Sequence, residues 1–196
     1  MSRDQRGRAA VTSAGGVLAC ALLMAGCTGA PQPALTTPTP APTTATPTAT
    51  PTPSVDPATA EAEAAALAAY EGFWAAKVAY LAAPGSPEPS ELQQYAVDKA
   101  LGGVRDVARA YQENGIVSRG EPVLAPEVTA VELEGEPSAV ITDCVDVTNW
   151  QPVFESTGES AAAPGQLNRQ VSETQAIFYD DRWVMRETTI YRDRSC

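Results

Sequence analysis

The chain has 196 residues, a formal net charge of −11 and no histidine. That acidity argues against nucleic acid and against bare anionic lipid headgroups as partners. The missing imidazole removes the usual proton shuttle at neutral pH and the commonest metal ligand.

The first segment, residues 1–26, reads as a lipoprotein signal peptide. Arg3, Arg6 and Arg8 precede an uncharged stretch from Ala9 to Ala25 that is short and only weakly apolar, which suits a cleaved targeting segment better than a permanent span. It ends in Leu22-Leu23-Met24-Ala25-Gly26-Cys27, whose small residues let a peptidase approach the backbone. Cys27 is then the lipidated first residue of the mature protein. The expected partner is a membrane, held through that lipid, and the expected location is the cell membrane on its extracytoplasmic face.

Residues 27–56 form a linker. Eight prolines from Pro31 to Pro53 alternate with threonine and alanine, and Asp56 is the only charged residue within the linker. Nothing there can build a core, so the expectation is a disordered tract with a polyproline II bias. With Cys20 removed and Cys27 lipidated, Cys144 and Cys196 remain. Two thiols in an exported domain imply one disulfide closing a loop of about 50 residues. The alternative, a metal or reactive pair, lacks a histidine, a neighbouring thiol and a basic cluster.

Residues 57–196 are long enough for one domain with its own core. Asp56 as cap and Pro57 in the first turn open a helix. Leu67, Tyr70, Trp74, Val78 and Leu81 give it an apolar stripe, and it ends near Ala83, before Pro84-Gly85. A short helical piece begins at Ser90 and carries Leu92 and Tyr95. A third helix, capped by Asp98, runs to Asn114-Gly115. Gly102-Gly103 inside it has no explanation from the sequence beyond close packing.

After Gly115 the period changes to that of strands. Extended segments are expected at 116–119, 122–124, 128–133 and 139–147, then a long loop at 148–167. Strands at 169–179 and 183–192 follow, joined by the turn Asp180-Asp181. Helices first and an antiparallel sheet afterwards make an α+β domain, with the helices packed on one face of a curved sheet.

The segments Tyr70-Glu71-Gly72-Phe73-Trp74, Gly120-Glu121-Pro122-Val123-Leu124, Asp143-Cys144-Val145-Asp146 and Trp183-Val184-Met185 through Cys196, in this order of elements, resemble the nuclear transport factor 2-like superfamily. More narrowly, they resemble small actinobacterial lipoproteins carrying one such domain. The resemblance spans residues 60–196. It implies a cone-shaped fold whose sheet wraps the helices and leaves a pocket at its open end. Some members of the superfamily are isomerases, dehydratases or cyclases, and many only bind or dimerise.

Catalytic members pair Asp with His, sometimes with Tyr, and the histidine is absent here. Asp143 and Asp146 are the remaining acids, with Tyr70, Tyr95 or Tyr111 as partners. Strand alternation puts them on opposite faces, so they form no carboxylate pair. Asp146, sharing a face with Cys144, is taken as the inward residue, with Arg186 or Arg192 as its counter-ion. Tyr70, Trp74 and Asp146 are the candidate ligand-binding residues, although Tyr70 and Trp74 at helical spacing suit a core stripe equally well. Trp150, in a polar stretch, suits a rim. No catalytic residue, cofactor or metal site is assigned. The expected function is non-catalytic binding of an envelope protein or small ligand. The alternatives are an isomerase or hydratase with an Asp base, and a structural or assembly module.

Overall fold

A computed structural model describes residues 56–196; the signal segment, Cys27 and the Thr/Pro tract through residue 55 lie outside the described residues. Three helices precede six strands, an α+β arrangement with antiparallel sheets.

Helix α1 spans Pro57–Ala82. The Asp56 carboxylate accepts from the backbone N–H of Ala58 at 2.9 Å and of Thr59 at 3.4 Å, which satisfies two donors the helix cannot bond internally. Its buried side holds Ala66, Tyr70, Phe73, Trp74 and Leu81. Helix α2 spans Ser90–Tyr95 and buries Leu92 completely. The Tyr95 ring lies directly over Gly72 of α1, where any side chain would collide with it.

Helix α3 spans Asp98–Asn114 and stops at Gly115, which adopts the left-handed conformation at φ 63°. Its cap differs from expectation. Val97 occupies the cap position without a side-chain bond, and Asp98 follows at φ 46°, its carboxylate 3.4 Å from Arg186. Close packing does not explain Gly102 and Gly103, since open space surrounds both.

The strands are β1 (Ile116–Gly120), β2 (Pro126–Glu132), β3 (Ser138–Asp146), β4 (Trp150–Phe154), β5 (Arg169–Tyr179) and β6 (Arg182–Tyr191). They form two sheets rather than one: a four-stranded sheet in the order β2-β3-β5-β6, and a separate β1-β4 ribbon. The expected loop at 148–167 thus contains a strand. Pro152 at its centre argues against a strand, but β1 is the one named strand that β4 pairs with, its other edge meeting just the isolated bridge from Val153 to Ser160, and an edge strand tolerates a missing donor. Asp180 and Asp181, at φ 52° and 61°, make the two-residue turn between β5 and β6. Positive φ at both positions matches the twist of the flanking strands.

Cys144 and Cys196 form a disulfide with Cα atoms 5.8 Å apart. The core joins α1 to the inner face of the four-stranded sheet, with Ala139, Ile141, Val145, Ala176, Trp183 and Met185 packed against the α1 stripe. Among the described residues, no helix is long and apolar enough to cross a membrane.

Candidate functional site

Two features meet where α1 crosses the sheet. The first is a buried polar cluster. The Tyr70 hydroxyl donates to Asp143 Oδ2 at 2.9 Å, and the Ala125 backbone N–H donates to Oδ1 at 2.8 Å. Ser172 Oγ lies 3.5 Å from the same phenol. Asp143 is only 1% exposed, and Tyr70 and Ser172 are wholly buried. Burial pushes the Asp143 carboxyl above its ordinary value, and the bonds from Ala125 and Tyr70 pull it back. Burial likewise pushes the Tyr70 phenol upward; the Asp143 charge adds to this and Ser172 opposes it. With a donor on each oxygen and no opening to solvent, this carboxyl is built to hold α1 against β3.

The second feature is a cavity of about 170 Å³. Trp74, Lys77 and Leu81 enter it from α1, at the three- and four-residue spacings that share one helix face. Val107 and Tyr111 enter from α3, Ser118 from β1, Trp150 and Pro152 from β4, Gln170 and Ser172 from β5, and Arg192 from just beyond β6. Ser172 therefore belongs to both the buried cluster and the cavity wall.

Lys77 is half-buried. Its ammonium sits 3.8 Å from the centre of the Trp74 ring and 5.6 Å from that of Trp150. The two indoles meet edge to face at 5.7 Å. Desolvation, with the Arg192 charge as a second cause, lowers Lys77 to about 8. Burial raises the Tyr111 phenol, opposed by the Ser118 hydroxyl and the Arg192 charge. The indole nitrogens of Trp74 and Trp150 are buried without a hydrogen-bond partner. The Trp74 N–H faces the Tyr70 hydroxyl closely enough to affect its acidity slightly, but the geometry falls short of a bond.

Tyr70 is a core residue whose hydroxyl anchors Asp143. Trp74 is both core and cavity wall. Asp146 is not beside them, which corrects its expected inward orientation. The buried positions of β3 are Ala139, Ile141, Asp143 and Val145, so Asp143 takes the inner face. Asp146 instead accepts from the Thr148 N–H at 2.9 Å, and its acidity is strengthened chiefly by that contact. Arg186 pairs with Asp98.

The sequence reading also passed over Lys77 and the part Arg192 plays in the cavity. A signal for the lysine existed: it lies three residues after Trp74 and four before Leu81, inside the apolar stripe. Among the described residues, no group of His, Cys, Asp and Glu has an arrangement fit to hold a metal ion.

No protein-family model matches the chain, and no curated protein matches it either. Among solved structures it is similar to one titled "Crystal structure of intermembrane space region of chloroplast protein ARC6". The identity is 14% and the TM-score 0.39, over 71% of this chain and 99% of that one. A likeness this distant transfers nothing about activity.

Proposed function

We propose that this chain is a lipid-anchored envelope protein, tethered through Cys27 on the extracytoplasmic face. Its nuclear transport factor 2-like domain binds a ligand or partner without chemical turnover. The observation that carries the binding reading is the cavity enclosed by α1, α3 and both sheets, with aromatic walls and polar groups from several elements. Helices set against antiparallel sheets suit the cone-shaped fold. The Cys144–Cys196 disulfide suits an oxidising compartment. Against turnover stands Asp143: its carboxyl takes one donor on each oxygen and is sealed from solvent, out of reach of a substrate.

Native mass spectrometry of the protein released from its own membranes tests this reading. The expected species begins at Cys27, carries a diacylglyceryl mass, retains the disulfide and brings a bound molecule or protein with it. Cys27→Ala should release the chain from the membrane fraction. An unlipidated chain that still begins at Met1 would overturn the anchor, and turnover of any bound molecule would overturn the non-catalytic reading.

A further inference from the structure

We propose that the cavity beside Lys77 is a site for a small organic anion, a carboxylate on a flat apolar body, with Lys77 and Arg192 as its counter-charges. This deepens the binding reading above and rests on it.

The argument begins with a mismatch of charge. The chain as a whole carries −11, yet no carboxylate lines this cavity, while two cations do. Among the described residues, neither Lys77 nor Arg192 is in an ion pair, and the Lys77 ammonium donates to no protein acceptor. By contrast Lys99, which shares the neighbouring hollow with Lys77, meets Glu187 at 2.7 Å, and Arg105 meets Glu88 at 2.6 Å.

Holding an ammonium partly out of water without a counter-ion is costly, and an anion supplied from outside removes that cost. An oxyanion accepts from ammonium and guanidinium alike. The remaining wall selects the rest of the ligand. Leu81, Val107, Val145 and Ile190 offer apolar surface, and the Trp74 and Trp150 rings offer flat faces and edges. A small carboxylate with an aromatic or compact apolar body fits this lining better than a sugar or a free phosphate, both of which need more polar partners.

The charged and titratable groups around Lys77 are Tyr111 and Lys99 from α3 and Arg192 from the chain after β6. Two of these are cationic, and Lys99 is already matched by Glu187. An anion therefore binds the protonated form of Lys77, and its affinity falls as pH rises through about 8, where Lys77 loses its proton.

The test titrates the full chain with benzoate and with its neutral isostere benzamide, following tryptophan fluorescence and, independently, ligand-observed NMR. Benzoate should bind about tenfold or more tightly than benzamide at about pH 6.5, and lose most of that advantage by about pH 9.5. Lys77→Met, and separately Arg192→Gln, should each remove most of the preference for benzoate over benzamide. Arg192 is exposed, so its replacement does not disturb the core; near-ultraviolet circular dichroism checks that both variants fold. Equal binding of benzoate and benzamide, or an undiminished preference in both variants, would overturn the anion site while leaving an apolar binding cavity. Failure of both compounds to bind, by both readouts, would overturn the anion site and the small-ligand reading together.

Discussion

At Tyr70 a single hydroxyl decides whether a buried charge is tolerated. Asp143 draws one bond from Tyr70 and one from the Ala125 backbone, and nothing else among the described residues bonds it. Tyr70→Phe keeps the ring, and therefore the packing, but leaves Oδ2 with no donor. The expected loss is about 1–3 kcal/mol of unfolding free energy, measured by urea denaturation. A change within about 0.5 kcal/mol would mean that water replaces the phenol and that the site is not sealed. The same residue shows how a core assignment and a polar role combine: the ring packs against Trp74 at 6.3 Å while the hydroxyl reaches the sheet.

Among the elements, α1 and α3 treat glycine in opposite ways, and that difference can be measured. A Cβ on Gly72 would lie 2.6–2.8 Å from carbons of the Tyr95 ring, whereas Gly102 has open space. Gly102→Ala should therefore stabilise α3 by about 0.5–1 kcal/mol through helix propensity alone. Gly72→Ala should cost about 1–3 kcal/mol despite the same propensity gain, because α2 must move or Tyr95 must leave its rotamer. Thermal melts of the two variants should shift in opposite directions; a stabilised Gly72→Ala would show that α2 gives way freely. Much of this layer was legible in the sequence. The Asp56 cap, the start of α2 at Ser90, the stop at Gly115 and the Asp180-Asp181 turn all follow from local chemistry. What could not be read locally depends on partners distant in the chain. Strand β4 exists because β1 accepts an edge strand containing Pro152. The inward face of β3 is set by Tyr70, 73 residues before Asp143. The cavity likewise collects Trp74, Tyr111, Trp150 and Arg192 from four separate stretches of chain. Alternation in β3 did carry a usable hint, since Ala139, Ile141 and Val145 make the odd positions the more apolar set.

For the molecule as a whole, the Cys144–Cys196 bond closes a loop of 52 residues that contains β4, β5 and β6. In the chain-entropy account it restricts the unfolded state by about 4 kcal/mol. Replacing both cysteines with serine should lower stability by that order, read as a shift in denaturant midpoint. It should also speed hydrogen exchange at Val171, whose N–H donates to the Arg194 carbonyl in the tail. Unchanged exchange there would mean that the tail is held by its other contacts. The Tyr70–Asp143 bond has a different consequence at this scale. Apolar packing alone would accept α1 displaced along its axis by a turn, because alanines recur throughout the helix. Such a displacement would bring Ala66 or Leu67 opposite Asp143 in one direction, and Phe73 or Trp74 in the other, and of these the indole of Trp74 alone carries a donor. A shift toward Ala66, Leu67 or Phe73 leaves Oδ2 sealed in without a donor. The pair acts as an alignment key, and its larger effect lies in the competing arrangements it makes unfavourable.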